Sequence, residues 1–139
     1  MPPRHPISNI RPIPNIWLIS DSRNDAVLDA VLARLPRGSG FIFRHYHLPP
    51  ATRSARFACL AQIARARGHL VVLGGSMAEA RRWGADGAYG APAVLARGPA
   101  TLRLATAHSL RELRQAHRAD AVLLSPVFPT RSHPGGKVL

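Results

Sequence analysis

Cysteine is nearly absent. Cys59 stands alone, so no disulfide can form within the chain, and a reducing cytoplasm is the expected setting. Lysine is equally scarce: Lys137 is the only one, so the formal net charge of +12 comes almost wholly from arginine. Arginine in place of lysine, beside abundant alanine and proline, is what GC-rich codon usage produces without selection for a polyanionic partner. Aromatic residues make up 6% and do not alternate with the cations, which removes the stacking platform that single-stranded nucleic acid requires. The arginines are dispersed (Arg34, Arg53, Arg56, Arg65, Arg81, Arg111, Arg114) over polar faces of expected helices. A solvated surface, not a specific nucleic-acid interface, is therefore expected. No apolar run approaches the roughly 20 residues of a membrane helix. Met1-Pro2-Pro3-Arg4-His5-Pro6 leads into no apolar segment of the secretory kind, so no signal peptide is expected.

What is present suits one globular core. The chain has 139 residues, 46% of them hydrophobic, enough for a single domain and too few for two comfortable ones. Residues 1–14 read as a Pro-rich, irregular lead-in and 15–139 as the domain. Short apolar runs alternate there with helical patterns. Ile16–Ile19 reads as a strand ending at Ser20-Asp21-Ser22, which can cap a helix carrying Leu28, Val31 and Leu32. Gly40–Arg44 is a second strand, followed by a helix over Thr52–Arg67, in which Cys59 is expected as a buried, inert thiol. His69–Leu73 is a third strand, and Met77–Trp83 a short helix. Ala85–Tyr89 and Thr101–Thr106 are further strands. Ser109 starts a helix with Leu110, Leu113 and Ala116 on one face. Ala121–Leu124 is a sixth strand, expected to be buried on both faces.

Alternating β and α units predict a parallel sheet covered by helices. An open doubly wound sheet and a closed barrel both fit that order. The first strand lacks a Gly-rich dinucleotide fingerprint, while polar groups stand at several strand ends: Arg44, Thr106, His108 and Thr130. In a barrel those ends meet at one mouth, so the expected class is an α/β (β/α)8 TIM barrel, partial, with about six of its eight units visible. The segment after the sixth strand, Ser125-Pro126-Val127-Phe128-Pro129-Thr130-Arg131-Ser132-His133-Pro134-Gly135-Gly136-Lys137, offers hydroxyls, cations, a histidine and a flexible Gly-Gly backbone. Those groups suit phosphate oxygens.

The ordered set Trp17-Leu18-Ile19-Ser20-Asp21, Arg44, Gly84-Ala85-Asp86-Gly87, Ala107-His108-Ser109-Leu110 and Pro126-Val127-Phe128-Pro129-Thr130 resembles thiamine-phosphate synthase and its relative, the thiazole tautomerase. The resemblance runs from about Trp17 to Leu139. It implies a cytoplasmic (β/α)8 transferase of thiamine biosynthesis that couples a pyrimidine methyl diphosphate to a thiazole phosphate and releases diphosphate with Mg²⁺. It further implies phosphate contacts from Arg44, Thr106, Thr130, Arg131, Ser132, His133 and Lys137. In this chain Thr106 stands where a serine is usual, and His133 where a lysine is usual. Gly74-Gly75 occupies the place of an Asn-Asp pair that carries a metal ligand, and no aspartate replaces the second ligand near Gly90-Ala91-Pro92. The family's Mg²⁺ is thus implied without its carboxylates.

Three readings follow: the synthase reaction on small phosphorylated substrates, a tautomerase in which His108 moves a proton without metal, and a non-catalytic phosphate-binding relative or remnant. His108 can alternatively cap the following helix or pack against Tyr89. Arg44 can clamp phosphate or pair with Asp21. His45 and His47 share a face in an extended segment, but without a third ligand they are expected to face solvent. A six-unit barrel leaves two strand edges open, which invites a homo-oligomer.

Overall fold

The computed structural model describes residues 12–131 and 134–138. Six strands form one sheet: β1 (Trp17–Ile19), β2 (Gly40–Phe43), β3 (Leu70–Gly74), β4 (Gly87–Gly90), β5 (Leu102–Ala107) and β6 (Ala121–Leu124). All adjacent pairs are parallel, and spatial order follows chain order from β1 to β6. A doubly wound sheet reverses direction at a switch point; this one never does. The sheet is a curled, partial α/β barrel. Between its strands lie α1 (Leu28–Arg34, entered by a 3₁₀ turn at Asp25–Val27), α2 (Pro50–Ala66), α3 (Met77–Arg82), α4 (Pro92–Leu95) and α5 (Leu110–Gln115).

The twofold alternation of strand side chains divides the core. Phe41, Phe43, Val71, Leu73, Ala88 and Ala105 face the helices, meeting Leu28, Leu32, Phe57 and Leu60. Ile42, Val72, Tyr89 and Leu104 face the concave side with Leu70. Two carboxylates repeat one device at the amino ends of the strands. Asp86, before β4, accepts the Val71 N–H of β3 at 2.8 Å, and Asp120, before β6, accepts the Arg103 N–H of β5 at 2.8 Å. The aspartate of Gly84-Ala85-Asp86-Gly87 therefore pins two strands at the end away from the mouth.

Several expectations need correction. Ser20 caps no helix; it is wholly buried at the end of β1. The turn after β1 is instead closed by Asp21 and Asn24, each of whose side-chain oxygens accepts the other's backbone N–H. β6 is half-buried rather than buried on both faces, because it forms an edge of the sheet. Leu110 and Leu113 are exposed, and Ala116 alone of that trio is buried. Cys59 is exposed, not buried, since the inward face of α2 is carried by Phe57, Leu60, Ala61 and Ala64. Helix α4 has no counterpart in the sequence reading, being a single turn opened by Pro92. No helix among the described residues is long and apolar enough to cross a membrane.

Candidate functional site

The carboxyl ends of the strands enclose a cavity of about 700 Å³ lined by Ile19, Asp21, Arg44, Tyr89, Thr106, His108, Leu123, Leu124 and Ser125. Each polar group arrives there for a local reason. Arg44 follows the last residue of β2 and Thr106 lies near the end of β5 on the concave face, in register with Leu123. His108 and Ser125 leave the neighbouring strands β5 and β6 side by side.

Arg44 answers both alternatives offered by the sequence. Its Nε donates to the Ser20 carbonyl at 3.0 Å, and its terminal nitrogen lies 3.6 Å from Asp21 Oδ2. The remaining donors of its five-donor fork have no acceptor among the described residues. Asp21 is committed elsewhere: Arg23 binds it at 2.8 Å and, as the largest influence, holds its carboxyl below the ordinary value.

His108 has a defined tautomer. Its Nδ1 lies 2.7 Å from the Ser125 carbonyl, which can only accept, so Nδ1 carries the hydrogen and Nε2 of the neutral ring is left as the base. The histidine does not cap α5. Ser109 does, accepting the Glu112 N–H at 3.2 Å, while Glu112 reaches back to the His108 N–H at 2.5 Å in the manner of a capping box.

The structure thus brings together Arg44, Thr106 and His108. Thr130, Arg131 and Lys137 are exposed and do not line the cavity; they sit on the segment beyond β6. Ser132 and His133 lie outside the described residues. His45 does not face solvent. It is 1% exposed, its ring stacked on Phe43 with centroids 4.7 Å apart, because both ring nitrogens have partners: Ser20 Oγ at 2.8 Å and Asp25 Oδ1 at 2.6 Å.

Two further residues shape the mouth without having announced themselves. Arg53, on α2, donates to the Arg44 carbonyl at 2.9 Å and the Gly74 carbonyl at 2.6 Å, tying the ends of β2 and β3 together. It also pairs with Glu79 at 3.0 Å and lies 5.2–5.6 Å from the ring centroids of Phe43, Tyr46 and Trp83. Tyr46 places its hydroxyl against Gly74, where a Cβ would stand 2.5 Å from it. The residue as a whole is largely exposed, but desolvation of the hydroxyl end against Gly74 pushes that phenol above its ordinary value, the nearby Tyr89 adding to the effect.

The donor set among the described residues does not fit Mg²⁺. A hard dication wants several carboxylate or carbonyl oxygens around one point, and no group of three His, Cys, Asp or Glu converges among the described residues. Glu79 is held by Arg53 and Asp21 by Arg23, while the end of β3 offers only Gly74-Gly75.

No protein-family model matches the chain, and no curated protein matches it. Among solved structures it is similar to thiamine phosphate pyrophosphorylase from Pyrococcus furiosus, with a TM-score of 0.71 and 22% sequence identity over 88% of this chain and 65% of that one. The chain thus spans about two thirds of that protein's length. The likeness establishes the architecture: this chain has a thiamine-phosphate synthase-like fold.

Proposed function

We propose that the chain binds a small phosphorylated substrate at the carboxyl ends of its strands and acts as a thiamine-phosphate synthase-type transferase, joining a pyrimidine methyl diphosphate to a thiazole phosphate. The observation that carries this reading is the convergence of Arg44, Thr106 and His108 on one 700 Å³ cavity in a fold of that kind. Arg44 supplies a fixed cation and a planar fork matched to phosphate oxygens, and Thr106 supplies a hydroxyl. The donor set points to anion binding without a divalent ion.

A second reading, the thiazole tautomerase, is favoured by the His108 geometry. With Nδ1 held by the Ser125 carbonyl, Nε2 is the free base at the cavity wall, suited to removing and returning a proton. The experiment is calorimetry with inorganic diphosphate, with and without EDTA, followed by assays of coupling and of tautomerisation. Micromolar to millimolar binding unaffected by EDTA is the expected result. Coupling activity supports the transferase, and tautomerisation lost in His108→Ala supports the second reading. Binding without turnover assigns the chain to the non-catalytic class. No binding of diphosphate or phosphate sinks both enzymatic readings and the phosphate-binding relative, leaving only the remnant.

A further inference from the structure

Ser20, His45 and Asp25 form a hydroxyl–imidazole–carboxylate chain, with 2.8 Å from Ser20 Oγ to His45 Nδ1 and 2.6 Å from His45 Nε2 to Asp25 Oδ1. Such a chain elsewhere activates a nucleophile. Here it cannot, because Ser20 is 0% exposed and no substrate reaches its hydroxyl. The chain points instead at Arg44. Ser20 Oγ accepts the Arg44 N–H at 2.8 Å, and the Ser20 carbonyl accepts Arg44 Nε at 3.0 Å, so one buried serine grips the arginine by both backbone and side chain.

The direction of each bond follows from the inventory of donors and acceptors. Asp25 as a carboxylate only accepts, so His45 Nε2 carries the hydrogen. Nδ1 of the neutral ring then accepts the Ser20 hydroxyl hydrogen, which leaves an oxygen lone pair aimed at the Arg44 N–H. The far end is anchored on the helical layer: Arg56 donates to Asp25 Oδ1 at 2.9 Å and to Asp29 at 2.7 Å. His45 also holds a left-handed backbone, φ +42°, a conformation uncommon for a residue with a Cβ.

We propose that His45 is a positioning residue: by orienting the Ser20 hydroxyl it sets where Arg44 presents its guanidinium to an anionic ligand. This rests on the reading that Arg44 binds phosphate. The groups facing the ring are Ser20 and Asp25 from the β1 side, Arg56 of α2 behind Asp25, Phe43 stacked on one face, and His47 of the same loop at 5.1 Å.

The test is calorimetry of the full chain with inorganic diphosphate for wild type, Arg44→Ala, His45→Asn and Ser20→Ala. Asparagine tolerates the left-handed backbone but cannot span from Ser20 to Asp25. At pH 8 His45→Asn and Ser20→Ala are each expected to bind about tenfold more weakly, the scale of one lost hydrogen bond, with unchanged circular dichroism. The Arg44→Ala/His45→Asn double variant is expected to bind no more weakly than Arg44→Ala alone, a non-additivity that a merely structural loss at His45 would not give. If Arg44→Ala weakens binding while His45→Asn and Ser20→Ala bind as wild type, the positioning role is overturned and the anion site stands. Additive losses in the double variant overturn it as well, reducing the ring to a spacer. If Arg44→Ala binds as tightly as wild type, or wild type does not bind, the anion site itself fails and the inference with it. Should His45→Asn not fold, Ser20→Ala against Arg44→Ala decides.

Discussion

Replacing Arg53 by methionine tests whether the mouth is held open by a cation rather than by loop sequence. The side chain is only 12% exposed and makes three charge-assisted hydrogen bonds, to the Arg44 carbonyl, the Gly74 carbonyl and Glu79. Bonds to charged groups contribute about 1.5–3 kcal/mol each when fully buried. Arg44 lines the open cavity and Glu79 is 29% exposed, so water recovers part of those two losses, while the bond to the buried Gly74 carbonyl is lost outright. Contact with the three rings adds about 0.5–1 kcal/mol, while methionine keeps most of the stem packing. The expected cost is about 2–4 kcal/mol, and about half that for Arg53→Lys, whose compact ammonium can meet one acceptor but not the whole fork. Urea denaturation followed by circular dichroism reads it directly. With a slope of about 1.5–2 kcal/mol/M, the midpoint should fall by roughly 1–2.7 M for methionine with no change in slope. Because both carbonyls sit where β2 and β3 end, diphosphate affinity should fall in the same variant. A stability loss below about 0.5 kcal/mol would refute the reasoning and leave Arg53 a solvated surface arginine.

The Asp25 carboxyl lies below its ordinary value because Arg56, and after it His45, hydrogen-bond to the charged form. A depressed native value means that the unfolded chain binds more protons in this range, so the contribution is full above the unfolded value of about 3.9 and is lost as pH falls through the native one. Asp25→Asn should flatten the acid limb of stability below about pH 4, by no more than about 1 kcal/mol given its partial exposure; an acid limb unchanged in that variant would count against the assignment. Gly40→Val should destabilise by more than about 2 kcal/mol, since a Cβ there would overlap the Trp17 indole, and a thermal midpoint within two degrees of wild type, on a scale of about 3–5 °C per kcal/mol for a chain of this length, would show that the indole swings aside freely.

The order of elements was legible because apolar runs and glycine or proline breaks are local signals. Ile42 and Val72 are apolar on the concave face and Phe41 and Phe43 on the other, so these strands read as continuous hydrophobic runs whichever way they face. The placement of Arg44, Thr106 and His108 followed from a topological rule alone, since every parallel strand ends at the same side of the sheet. The failures share a cause. Arg53 lies among eighteen arginines and was indistinguishable from those on solvated faces, because its identity depends on the carbonyls of two other strands. His45 read as half of an exposed pair with His47, whereas the left-handed backbone at one residue turns it inward to Ser20, 25 positions earlier. Nothing in local composition encodes that contact.

The same contrast bears on what the mouth can bind. A motif match transfers residue types, and by that measure the resemblance implies phosphate contacts without the metal carboxylates. At the ends of β2 and β3 the Arg53 guanidinium is bound by Gly74 and Arg44 carbonyls and by Glu79, a set of oxygens that holds a fixed monocation in place. Arg44, steadied by Ser20, supplies a second at the cavity itself. Fixed cations of this kind cost no reorganisation when an anion arrives, and unlike a bound dication they are not removed by a chelator. Diphosphate affinity that survives EDTA but falls with loss of either arginine is therefore the behaviour this arrangement demands; chelator-sensitive affinity would mean that oxygens outside this set hold the charge.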